Sequence, residues 1–127
     1  MRLAIFDDDQ WAAKVAQRWA TAMQRHPSAR ICLPAGETPQ SVYAVAASVI
    51  DLDSATVFAL DEFDLPAGDE ARRDVILQRD LFDLLMHPPG VLHSLDTAAP
   101  DADAECRRFE SLISDGGLDL TLLGLFA

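Results

Sequence analysis

The sequence predicts an α/β domain in which a largely parallel sheet carries helices on both faces. Three observations point there. Short apolar runs alternate along the chain with longer segments of helical periodicity, the order that builds parallel sheets from strand–helix–strand units. One run, Ile31-Cys32-Leu33, opens into the loop Pro34-Ala35-Gly36-Glu37-Thr38-Pro39, and a helical pattern begins just after it. Another, residues 55–60, ends directly in the acid pair Asp61-Glu62. At 127 residues the chain fits a single domain, residues 1–127, with enough apolar side chains for a core.

Taken in order, residues 1–6 read as a short strand. Asp7, Asp8 and Asp9 supply an N-cap and negative charge for a helix that runs to about His26. Its apolar positions, Trp11, Ala12, Val15, Ala16, Trp19, Ala20 and Met23, recur at three- and four-residue spacing. That places both tryptophans in the core rather than on a binding platform. Pro27 and Ser28 end the helix. A strand at 29–33 is followed by a helix at 40–50, with Val42, Tyr43, Val45, Ala46 and Val49 on its buried side. Tyr43 is a packing residue first and a ligand contact second.

After the strand at 55–60 comes an irregular stretch, 63–68, broken by Pro66 and Gly68, either a connector or a lid. A helix is expected at about 70–86, with Val75, Ile76, Leu77, Leu81, Phe82 and Leu85 apolar. Arg72, Arg73 and Arg79 on it either pair with neighbouring acids at i,i+4 or clamp a phosphate. His87-Pro88-Pro89-Gly90 stops this helix. Residues 91–95 form a short strand, 96–102 a linker and 102–114 a helix closed by Gly116-Gly117. Residues 118–125 read as a Leu-rich strand buried on both faces. The succession is that of a Rossmann-like sheet. It stops at Phe126-Ala127, where chemistry-bearing loops follow strands in this class, so the domain is expected to be cut short.

The net charge of −11 argues against nucleic acid and anionic membrane surfaces as partners. It also disfavours an anionic ligand, unless one site gathers positive charge locally. No apolar run approaches the roughly 20 residues of a membrane span, and the N-terminus has no signal-peptide pattern, which predicts a cytoplasmic protein. Cys32 and Cys106 lack metal-type spacing and are expected as two buried reduced thiols rather than a disulfide. The strand–loop–helix unit around Gly36 can receive an anion, typically a phosphate, on backbone N–H groups. Ligands in open α/β sheets sit beyond the carboxyl ends of the strands. The anion cradle and the acid pair therefore share one rim, the layout of a sugar-phosphate site.

With these residues in place, the chain resembles the N-terminal half of the glucosamine-6-phosphate deaminase (isomerase)/6-phosphogluconolactonase family. Leu33-Pro34-Ala35-Gly36-Glu37-Thr38-Pro39 is similar to that family's phosphate loop, and Leu60-Asp61-Glu62-Phe63 to its Leu-Asp-Glu-Tyr/Phe motif. Residues 104–110 resemble the helix before the last matched strand, and 117–124 the strand that leads into the family's Gly-x-Asp-Gly-His loop. The deaminase branch fits better than the lactonase branch, since lactonases tend to carry Ser-Gly-Gly and Asp-Glu-Arg at these two motifs. The resemblance implies that Asp61, or Glu62 beside it, is the base moving a proton between C1 and C2 of an open-chain amino sugar. It implies a phosphate contact from Ala35, Gly36, Glu37 and Thr38, and no metal or organic cofactor.

Three departures are visible. Ala35 replaces a threonine whose hydroxyl would donate to phosphate, a loss of about 1 kcal/mol. Glu37 places a carboxylate where the family has Ser or Gly. The Asp-Gly-His segment is absent, and His26, His87 and His93 stand in no matching context, as surface or packing histidines. The resemblance thus implies a deaminase-like chain, inactive or incomplete by itself, that releases little or no ammonia. The alternatives are a lactonase-like hydrolase and a non-catalytic sugar-phosphate sensor. An uncovered edge at the last strand further predicts self-association, a homo-oligomer or a partner chain.

Overall fold

A computed structural model describes residues 1–124, and the four strands of its single sheet all run parallel. In chain order the elements are α1 (Trp11–Arg25), β1 (Arg30–Leu33), α2 (Glu37–Ala46), β2 (Thr56–Ala59) and α3 (Arg73–Asp80). A 3-10 turn (Phe82–Leu84), β3 (Val91–His93), α4 (Ala102–Ser114) and β4 (Leu120–Thr121) follow. The sheet order is β3-β2-β1-β4, so the two apolar runs singled out in the sequence are its central strands.

Strand alternation divides the packing between two layers. Ile31, Leu33, Val57 and Ala59 face the main core, where α1 contributes Trp19 and Met23, α2 Val42, Tyr43 and Ala46, and the α3 region Leu77, Leu81 and Phe82. Trp19 meets Tyr43 edge-on at 6.0 Å between ring centroids. The intervening residues Arg30, Cys32, Phe58 and His93 face the other way. There Phe109 of α4 stands edge-on to Phe58 at 6.1 Å, and His93 lies 5.0 Å from the same ring. Arg30 closes this second layer. Its guanidinium lies over Phe58, its Nε donates to the Gly117 carbonyl at 2.8 Å, and an Nη donates to the Leu112 carbonyl. Helices therefore cover both faces of the sheet, as expected.

α4 begins at the expected position, and Asp101 caps it, accepting from the Ala104 N–H at 3.0 Å. It ends on Gly116 and Gly117, both at positive φ (138° and 71°), where the Gly117 N–H reaches back to Ile113 at 2.8 Å.

Several expectations are corrected. Residues 1–6 form no strand: Leu3 and Ile5 are 82% and 85% exposed, and a strand exists only where its backbone finds a ladder partner. Asp7, Asp8 and Asp9 do not cap α1. Gln10 holds that position without a side-chain hydrogen bond, and the carbonyl of Asp7 takes the N–H groups of Gln10 and Trp11. α2 starts three residues earlier than predicted, at Glu37, because Gly36 provides the turn. It also ends sooner, at Ala46, and both Val45 within it and Val49 beyond it are exposed rather than buried.

The long helix expected at 70–86 is instead α3 plus the 3-10 turn, and it breaks at Leu81 so that Leu81, Phe82 and Leu85 can all reach the core. β4 lies at the sheet edge with Leu120 half-buried, not as a strand buried on both faces; Leu125, Phe126 and Ala127 lie outside the described residues. Both cysteines are free thiols, but Cys106 is exposed and only Cys32 is buried.

The contrast between β1 and the N-terminal segment is measurable. Ile31→Ala should cost about 2–5 kcal/mol in chemical denaturation, while Ile5→Ala should stay within about 0.5 kcal/mol. The link between α4 and the segment before it is acid-sensitive. Arg108, then the N–H of Asp96, hold the Glu105 carboxyl down to a pKa of about 2 from 4.5. A depressed carboxyl stabilises the fold above its unfolded pKa and stops doing so as pH falls through its folded value. The unfolding midpoint should therefore decline between pH 4.5 and about 2, and decline less in Glu105→Gln.

Candidate functional site

Parallel register brings the two sequence motifs together. Leu33 pairs with Ala59 at the carboxyl ends of β1 and β2, and the Leu60 N–H donates to the Leu33 carbonyl at 2.9 Å. The glycine loop and Asp61 therefore emerge side by side. They line one cleft of about 590 Å³ together with Glu37 and Thr38 from the first turn of α2, Leu60 after β2, Arg73, Ile76, Arg79 and Asp80 from α3, and Gly124. A larger cleft, about 710 Å³, opens where the strands begin, among Met23, Ile50, Asp53 and Met86. It carries none of the motif residues and lies at the end of the sheet where this class does not place ligands.

The loop is held from below. Gly36 is the N-cap of α2 at φ 125°, a conformation that a side chain would strain. The Tyr43 hydroxyl, buried under the loop, donates to the Pro34 carbonyl. Burial first, then the nearby Cys32 and Asp80, pushes the Tyr43 phenol well above its ordinary pKa, so it stays a neutral donor. The first turn of α2 leaves N–H groups without intrahelical acceptors, which with the helix dipole suits an anion. Glu37 and Thr38 stand exposed in this turn, and Ala35 is half-buried beside them. Burial, then the Asp61 charge, push the thiol of Cys32 beneath the site up, which disfavours its thiolate form.

The acid pair divides. Asp61 faces the cleft with its side chain 52% exposed and an Arg73 Nε 3.8 Å from Oδ1. Glu62 turns inward. Its side chain is fully buried, and its carboxylate accepts from the N–H groups of Phe63 (2.8 Å), Arg73 (2.7 Å) and Asp74 (3.0 Å), with Arg72 at 3.4 Å. It thereby caps α3 and fixes that helix against the rim.

The three arginines also separate. Arg72 points away and donates to Asp74, the Leu65 carbonyl and Thr97. That ties down the 63–68 segment, which is a pinned connector. Burial works to raise the Asp74 pKa, but the hydrogen bonds and charge of Arg72 outweigh it and leave it lowered. Arg73 and Arg79 face the cleft, and their acid partners stand at other spacings than i,i+4. Arg79 is bidentate to the buried Asp80, at 2.6 and 3.1 Å.

The spacing Arg73, Ile76, Arg79, Asp80 is one helical stripe, a signal present in the sequence but readable only once Glu62 sets the start of α3. His26, His87 and His93 all lie away from this cleft. Among the described residues no cluster of three or more His, Cys, Asp or Glu side chains is placed to hold a metal ion, and no helix is long and apolar enough to cross a membrane.

A family model described as glucosamine-6-phosphate isomerases/6-phosphogluconolactonase matches residues 8–125. The chain belongs to that family. A glucosamine-6-phosphate deaminase of Cutibacterium acnes is 30% identical over 135 residues, covering all of this chain and 52% of its own length. One from an Arthrobacter species is 32% identical over 123 residues, 91% of this chain and 47% of the relative. The chain spans about half the length of the curated relatives it matches.

Among solved structures, a monomeric glucosamine-6-phosphate deaminase superposes with a TM-score of 0.88 at 25% identity, over 99% of this chain and 56% of that one. A 6-phosphogluconolactonase from Thermotoga maritima gives a TM-score of 0.78 at 24% identity, over 94% and 58%, and shares the fold. The sequence resemblance and the Rossmann-like parallel sheet are thus both shown.

The divided acid pair gives a direct test. Glu62→Ala should cost about 2–4 kcal/mol in urea denaturation, because three N–H groups and Arg72 lose a buried partner. Asp61→Asn, at an exposed position, should change stability by no more than about 0.5 kcal/mol.

Proposed function

We propose that this cleft is the phosphate and proton-transfer half of an amino-sugar-phosphate isomerase/deaminase site. The observation that carries the reading is the shared cleft: an anion-receiving helix start and an exposed carboxylate open on the same rim, beyond the paired ends of two neighbouring strands. In this reading the α2 N-terminus, with Gly36 and Thr38, receives the 6-phosphate of the sugar. Asp61 is the base, taking the C2 proton of the open-chain amino sugar and returning it at C1; the C2 imine so formed is hydrolysed by a water molecule, which leaves the ketose and ammonia. A carboxylate is suited to this when geometry holds it within reach of the carbon-bound proton.

Glu62 orients the wall that faces Asp61 and does not itself meet the sugar. The deaminase relatives at 30–32% identity favour an amino sugar over a lactone.

A second reading has its own support. Ala35 and Glu37 weaken the loop as a phosphate donor, and no histidine lines the cleft among the described residues. Both features favour binding without efficient turnover, so we propose that the 127-residue chain alone binds its sugar phosphate and turns it over slowly or not at all.

Calorimetric titration with glucosamine 6-phosphate and fructose 6-phosphate, beside an ammonia-release assay, tests both parts. Binding is expected, abolished or strongly weakened by Gly36→Val, with ammonia release near background. Rapid, Asp61-dependent ammonia release would overturn the low-turnover part; absence of binding to either sugar would overturn the site.

A further inference from the structure

Among the described residues, the cleft contains a cation, Arg73, whose side-chain hydrogen-bonding capacity the protein leaves unused. Arg73 is the first residue of α3, and its guanidinium carbon lies 4.2 Å from the centroid of the Phe63 ring. That cation–π contact holds the group in place without consuming an N–H. Its contact with Asp61, at 3.8 Å, is an ion pair beyond hydrogen-bond length. Its Nε is buried and donates to nothing among the described residues. On its far side, Nη1 comes within 3.5 Å of where a side chain on Gly36 would begin. The other arginines of this region are satisfied: Arg72 by Asp74, Leu65 and Thr97, and Arg79 by Asp80. A buried donor without an acceptor costs free energy, unless a ligand supplies the acceptor.

We propose that Arg73 is an anion-binding residue of this cleft, which clamps the phosphate monoester of the ligand against the Gly36 loop and gives up Asp61 to do so. A planar guanidinium offers paired N–H groups to phosphate oxygens at a position where Ala35 supplies no hydroxyl and Glu37 adds an opposing charge. Arg73 and Asp61 are then linked: the anion and the carboxylate compete for one cation, so phosphate arrival frees Asp61 toward the sugar carbons. The identity of the sugar rests on the proposed function above; the anion site does not.

The test is isothermal titration of the 127-residue chain with inorganic phosphate and, separately, fructose 6-phosphate, comparing wild type, Arg73→Gln, Arg73→Lys and Asp61→Asn. Arg73→Gln should weaken both ligands by roughly tenfold or more and flatten the salt dependence of binding, with Arg73→Lys intermediate. Asp61→Asn should tighten inorganic phosphate severalfold, which a merely structural role for Arg73 does not predict. The cap on α3 uses only the backbone N–H of residue 73, so all variants should melt as wild type does.

Phosphate binding lost in Arg73→Gln with no fructose 6-phosphate binding in wild type supports the anion site and removes the sugar assignment. Fructose 6-phosphate binding unchanged in Arg73→Gln overturns the role of Arg73 and leaves the sugar assignment standing. No binding of either ligand to wild type, or weaker phosphate binding in Asp61→Asn, overturns the proposal.

Discussion

The pairing of Leu33 with Ala59 is the constraint on which the site depends. Two central parallel strands end level with one another, so whatever follows each of them must share a rim. After β1 that is a loop turned by Gly36 into a helix start; after β2 it is Asp61 and Glu62. A slip of one residue would point every side chain of β2 to the wrong layer, burying Phe58 in the main core and expelling Val57. The core therefore enforces the register, and the register enforces the site. Packing energy spent on Ile31, Leu33 and Val57, all fully buried, is what holds an anion cradle beside a carboxylate.

A second layer of control comes from Glu62. A fully buried carboxylate is tolerable because three backbone N–H groups and a guanidinium meet it. By capping α3 it fixes the angle at which the stripe Arg73, Ile76, Arg79 and Asp80 enters the cleft. The two adjacent acids thus do different work: one builds the wall, the other faces the space. The chain as a whole is strongly acidic, at −11, yet two of its ten basic residues converge here. Glu37, Asp61 and Asp80 line the same cleft, so an anion is received there by directed N–H groups and the guanidinium of Arg73 rather than by a net positive field, while screening at physiological salt confines the effect of more distant charges to within about 8 Å.

The fold class was legible because the determinants were local. Alternating apolar runs mark β1 and β2, Gly116-Gly117 closes α4, and the loop at 34–39 announces itself by composition. What escaped was whatever depended on a partner. Residues 1–6 have strand-like letters, but no ladder receives them. Three aspartates before α1 look like caps, yet backbone geometry puts Gln10 at that position. The long helix expected at 70–86 hid a break at Leu81 because apolar spacing alone does not distinguish a helix from a helix followed by a tighter turn. At the site, the glycine loop and Asp61 were visible as motifs. The separation of Glu62 from Asp61, and of Arg73 from Arg72, was not, since adjacent identical charges are told apart only by what they touch.

A ligand in this cleft lies between the glycine loop and α3, and amide NMR tests that placement most directly. Titrating the labelled chain with fructose 6-phosphate should shift the backbone resonances of Gly36, Glu37 and Thr38 together with those of Asp61 and Arg73, along one saturation curve. The larger cleft around Met23 and Met86 should stay silent. Shifts confined to that other cleft, or to the loop without Asp61 and Arg73, would contradict a single site built from both strand ends.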